Sequence, residues 1–127
     1  MKDKYYGFEN LVVWQKAHEL VLNIYNLTKS FPQEEFTGLT SQFRKAATTI
    51  AVNIAEGYSK QDKNDTLWFY NTAEDAINEC CYYAILAKDL GYLKEVEDEK
   101  LMEELSAMQK MLKSYTLVIR KNPSSKV

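Results

Sequence analysis

The stretch from Gly38 to Tyr58, GLTSQFRKAATTIAVNIAEGY, constrains the fold of this chain more than any other segment. Leu39, Phe43, Ala46, Ile50, Ile54 and Gly57 recur every three or four residues, the spacing of one helical face. Ala47, Ala51 and Ala55 form a neighbouring stripe of small side chains, which lets another helix approach closely. Asn53 and Glu56 stand beside that surface, where a polar group without a partner is costly. Three residues apart, they share a helical face. The structural expectation is that they bond groups of the first and fourth helices and fix register. The segment specifies packed helices and points to no reaction.

Three further segments carry the same period. Helix 1 is expected over about 11–29, with Val13, Ala17, Leu20, Ile24 and Leu27 on one stripe. Trp14, Val21 and Tyr25 widen that stripe, Asn10 is the expected N-cap, and Pro32 closes the helix. Helix 2 is expected over 39–57, ending on Gly57 as a left-handed cap. Helix 3 is expected over 65–90, capped by Asn64 or Asp65 and stopped at Gly91. Helix 4 is expected over 95–121, with Leu101, Leu105, Met108, Leu112, Tyr115 and Ile119 inward and a loose tail at 122–127. Connections this short favour antiparallel neighbours. The expected fold is therefore all-α, a single up-down-up-down four-helix bundle over residues 1–127.

Helix 3 does not fit a lone bundle. Its core stripe is expected to be Phe69, Ala73, Ala76, Ile77, Cys80 and Ala84. Leu67, Tyr82 and Ile85 project to nearly the opposite side, with Trp68 and Leu86 between. A helix apolar all round is normally buried all round. In a four-helix bundle no helix is central, so these five residues are expected at a subunit interface, in a homo-oligomer.

Composition narrows the function classes. With 127 residues the chain can bury roughly two thirds of its unfolded surface, so folding needs no metal or disulfide. Four Gly and two Pro argue against a turn-rich β fold. The two cysteines, Cys80 and Cys81, are neighbours on a helix and point about 100° apart, which fits a reduced compartment. MKDKYYGFEN has no apolar signal-type stretch, and the longest apolar run, Cys80 to Ala87, is far shorter than a membrane span. A soluble cytoplasmic protein is expected, without membrane contact.

Charge is uneven along the chain. Residues 64–104 carry three bases and eleven acids, whereas 105–127 carry five bases and no acid. Lys110, Lys113, Arg120, Lys121 and Lys126 suit the negative end of a helix dipole, or they contact nucleic acid together with Arg44 and Lys45 of helix 2. Tyr5, Tyr6, Trp68, Tyr70, Tyr82 and Tyr83 are able to stack on bases, although such spacing more often marks packing.

Catalytic and metal chemistry find little support. His18 is the only histidine, and Gln15 stands where a di-iron bundle would place glutamate. Cys80 and Cys81 lack a second pair for zinc. There is no phosphate loop, dinucleotide fingerprint or nucleophile elbow. No catalytic residue, metal ligand or cofactor is expected. The expected function is a non-enzymatic scaffold or adaptor; the alternative is a carboxylate-based metal-binding or enzymatic helical bundle.

Phe8 and Leu11, Val13-Trp14-Gln15-Lys16-Ala17, Phe31-Pro32 and Glu35 form a pattern with Gly38 through Ala47, Asn53-Ile54-Ala55-Glu56-Gly57 and Gly91-Tyr92-Leu93. Over about residues 8–120 this pattern resembles the small four-helix-bundle proteins encoded in intervening sequences of bacterial large-subunit ribosomal RNA genes. That family is ribosomal by name only. Asp75-Ala76 and Tyr82-Tyr83 depart from it, where relatives tend to have Gly-Ser and Thr-Gln. The resemblance implies a homopentamer. Through relatives that accompany the reverse transcriptases of diversity-generating retroelements, it also implies association with nucleic acid or a reverse transcriptase. The acidic pI of about 5.5 opposes the nucleic-acid part.

Overall fold

A computed structural model of the protein describes residues 7–122, and these form four helices and no strand. The helices are α1 (Val12–Thr28), α2 (Leu39–Tyr58), α3 (Lys63–Asp89) and α4 (Glu95–Lys121). Single 3-10 turns, Phe8–Asn10 and Gln33–Glu35, precede α1 and α2. Tyr5, Tyr6, Lys126 and most of the expected tail lie outside the described residues.

Each helix packs against its neighbour in sequence, and α1 touches α4 to close a square bundle. Side-chain pairs show the directions. Phe43, early in α2, meets Tyr83, late in α3, with ring centroids 6.0 Å apart. Between α3 and α4, Asn78 lies level with Gln109 at 2.7 Å, Glu74 with Lys113 at 3.6 Å and Asn71 with Arg120 at 3.5 Å. Numbers rise along α3 as they fall along α4, so these helices are antiparallel.

The buried apolar residues form one continuous core. Val13, Ala17, Leu20 and Ile24 of α1 meet Phe43, Ala47, Ile50 and Ile54 of α2, all at 2% exposure or less. The stripes expected on α1, α2 and α4 are thus largely inward, with shifts that have a common cause. Leu27 and Tyr115 are only partly buried, while their neighbours Thr28 and Thr116 are buried. Threonine enters the core because its hydroxyl can donate to its own helix. Thr28 Oγ1 donates to Ile24 O at 2.7 Å and Thr116 Oγ1 to Lys113 O at 2.9 Å.

On α3 the expected core residue Phe69 is half-buried, and Tyr70 takes its place with no exposed surface. Burial pushes the Tyr70 phenol up to about 12, and its hydroxyl has no hydrogen-bond partner among the described residues. Leaving a buried donor unpaired costs about 1–3 kcal/mol. Tyr70→Phe removes that group and keeps the ring, so stability should rise by about 1 kcal/mol. Thermal melts followed by circular dichroism provide the check. A loss of stability would mean that the hydroxyl holds a bridging water.

The helix ends depart from expectation in three places. Asn10 belongs to the 3-10 turn, so Leu11 stands at the N-cap of α1 and makes no side-chain cap. Asp62, rather than Asn64 or Asp65, caps α3, its carboxylate accepting from Asn64 N at 2.9 Å. Gly57 is not a left-handed terminus, because α2 continues through it to Tyr58. Its hydrogen side chain lets α3 approach: a Cβ there would lie 2.6 Å from Cε1 of Tyr70. Gly91 does end α3 as expected, with φ +83°. Tyr92 N donates to Ala87 O at 2.8 Å and Gly91 N to Lys88 O at 2.9 Å, the bond pair of a Schellman stop.

Candidate interaction surfaces

The polar pair of α2 is placed differently from expectation. Asn53 Nδ2 donates to Thr49 O of its own helix at 2.8 Å. Glu56 is half-exposed and pairs with Lys60, one turn on, at 3.7 Å. Neither bonds α1 or α4, so the expected tie between helices is not made by these two residues. The azimuth of Glu56 explains this, since it falls on the solvent side of the stripe that ends at Gly57.

The tie between α2 and α1 is made by Arg44 instead. Arg44 Nε donates to Thr28 Oγ1 at 2.8 Å and Nη2 to Tyr25 O at 3.4 Å. Its guanidinium lies 4.5 Å from the centre of the Tyr25 ring. Bound to the last turn of α1, it neutralises the negative end of that helix. Glu35 joins the two connections at the same end of the bundle. Its Oε1 accepts from Leu39 N at 3.1 Å and caps α2, while Oε2 accepts from the Tyr92 hydroxyl at 2.9 Å. The Tyr92 ring packs on Phe31, 5.3 Å between centroids. Sequence reasoning gave Glu35 no role. The available signal was a glutamate four residues before a helix start, on a segment ending in Gly38.

The basic residues do not form one surface. Arg44 and Lys45 sit level with Tyr83 of α3, whereas Arg120 pairs with Asn71, twelve residues earlier. Twelve helical residues span about 18 Å. Lys113 is engaged by Glu74, and Arg120 by Asn71. Lys45, Lys110 and Lys121 are exposed and make no ion pair among the described residues.

The outer side of α3 carries exposed apolar side chains among the exposed polar ones Asn71, Asp75, Asn78 and Glu79. Trp68 is 62% exposed, Tyr82 57% and Ile85 48%, while Leu67 and Leu86 are partly buried. Tyr70 is a core residue and Tyr83 packs on Phe43, so neither is open for stacking on a base. Between α1 and α4, the loosest seam of the bundle, lies a groove of about 340 Å³ floored by Leu20, Met108 and Met111.

The remaining reactive groups are not brought together. His18 stacks on Trp14, centroids 5.1 Å apart. Burial pushes the Cys80 thiol up to about 12 and raises that of Cys81, which keeps both protonated. No three His, Cys, Asp or Glu side chains converge on a metal-sized site among the described residues. No described helix is long and apolar enough to cross a membrane.

Comparison with known proteins agrees with this architecture. A solved structure from Bacteroides thetaiotaomicron, of a protein of unknown function from the S23 ribosomal protein family, superposes with a TM-score of 0.78. It is 28% identical, over 83% of this chain and 98% of that one. No curated protein matches. The model of the 23S rRNA-intervening sequence proteins matches residues 9–114, nearly the whole bundle. With that match and the same four-helix architecture, the chain belongs to the 23S rRNA-intervening sequence protein family.

Proposed function

We propose that the protein is a non-enzymatic scaffold or adaptor that works as a homo-oligomer. The observation that supports this most directly is the outer face of α3. Trp68, Tyr82 and Ile85 stay exposed on a helix whose inner face is already packed. Large aromatics contribute most to binding when desolvated at an interface, and are depleted from surfaces that stay in water. A homopentamer is the stoichiometry implied by the family resemblance described above.

Light scattering at micromolar concentration, combined with metal analysis of the same sample, tests the reading. A metal-free assembly of defined mass is expected. A clean monomer would remove the oligomeric scaffold. A stoichiometric bound metal would favour the carboxylate-bundle alternative.

A further inference from the structure

We propose that the outer face of α3 docks on the C-terminal half of α4 of a second copy, head to tail, and that repetition closes a small ring. This interface rests on the oligomeric reading above and specifies which faces meet. On α3, Trp68, Asp75, Glu79, Tyr82 and Leu86 follow one another at intervals of seven, four, three and four residues, a single helical stripe. The stripe is acidic and aromatic. Asp75 and Glu79 are exposed and make no ion pair among the described residues.

Its complement lies on α4. Lys110, Ser114, Leu117 and Lys121 recur at intervals of four, three and four residues, all exposed. Lys110 and Lys121 carry unpaired positive charge, and Leu117 is 52% exposed. Neither stripe is complementary to itself, because one is acidic and the other basic. A two-fold dimer through either face would set like charges together, whereas a contact between the two faces pairs opposite ones.

Symmetry then sets the register. In a ring whose axis runs along the bundle, every copy points the same way, so α3 of one copy lies antiparallel to α4 of the next. Heights along the bundle are already fixed by the pairs within one copy. Glu74 is level with Lys113, Asn78 with Gln109, and Asn71 with Arg120. At those heights Asp75 and Glu79 bracket the next copy's Lys110. Trp68 falls between Leu117 and Lys121, where the indole meets an apolar side chain and a cation. Since α3 and α4 occupy adjacent corners of a square, their outer faces point about a quarter turn apart. A head-to-tail contact with that geometry closes after about four or five copies rather than growing into a filament.

The test uses three variants of the full chain. K110E/K121E reverses the α4 face, D75K/E79K reverses the α3 face, and the quadruple variant carries both changes. All four residues are exposed, so circular dichroism should show wild-type helix content in each. Sedimentation of the two double variants should show association weakened by at least about tenfold. The quadruple variant, with the charges exchanged, should assemble again. If the wild type assembles but either double variant does so equally well, or the quadruple variant stays dissociated, this interface is wrong while the oligomer stands. If the wild type is a monomer, the scaffold reading fails with it. Should K110E/K121E abolish binding of labelled RNA while leaving assembly intact, the α4 face belongs to nucleic acid and the proposal is overturned.

Discussion

Gly57→Ala should destabilise the bundle by about 3 kcal/mol, although alanine is the better helix former by about 1 kcal/mol. The two effects have opposite signs, and geometry decides between them. The added Cβ would lie 2.6 Å from Cε1 and 2.7 Å from Cδ1 of Tyr70, and 3.2 Å from Cβ of Phe69. The Tyr70 ring cannot swing aside because it is wholly buried. Relief must come from moving α3 off α2, and the loss spreads along that seam. Thr66 Oγ1, which donates to Gly57 O at 2.9 Å, would be pulled from its acceptor by the same movement. A fall in Tm on the order of 10 °C is expected for a chain of this size. Gly57→Ala combined with Tyr70→Leu should lose less than the sum of the two single changes, since the smaller side chain makes room. A rise in Tm for Gly57→Ala alone would show that helix propensity wins and that the close approach is not needed.

Glu35→Ala should be the next most damaging change outside the core. The carboxylate is the side-chain partner of Leu39 N at the start of α2, and removing such a cap costs about 1–2 kcal/mol. It also frees the Tyr92 hydroxyl, which ties the connection between α3 and α4 to that between α1 and α2. The hydrogen bond to Glu35 raises the Tyr92 phenol above its ordinary value of 10.0. A raised folded-state value fixes the sign of the pH effect. The contribution is complete below the unfolded value and is lost as pH climbs through the raised one. The difference in Tm between wild type and Glu35→Ala should therefore be constant near neutrality and narrow above about pH 10. Glu35→Gln separates the two roles, because the neutral amide can still accept from Leu39 N while the charge at Tyr92 is gone. A gap unchanged across the alkaline range would mean that Tyr92 contributes nothing through this bond.

Sequence reasoning reached the interaction surfaces less well than the helices. The exposed outer side of α3 was legible because Trp68, Tyr82 and Ile85 lie opposite a recognisable core stripe. The sequence groups the basic residues only by position and type, whereas the bundle separates Arg44 from Arg120 by about 18 Å along its length and engages both. The place of Asn53 and Glu56 beside an apolar stripe suggests a tie between helices. A small rotation about the α2 axis turns that place from buried to solvated, and sequence periodicity does not resolve so small an angle.

The sequence by itself determined that four helices form, in what order, and which broad face of each is buried. Those properties depend on a repeat of 3.6 residues and on short connections, both local. Gly91 as a terminus belongs with them, since a left-handed stop needs only the residue and its own turn. Only the tertiary structure decided that Tyr70 rather than Phe69 enters the core, and that Thr28 and Thr116 replace Leu27 and Tyr115 there. It also decided that Gly57 serves contact rather than termination, and that Glu35 reaches Tyr92 across 57 positions. Each of these depends on how closely and at what rotation one helix faces another. That is fixed by the packing of all the side chains together, and no single segment encodes it.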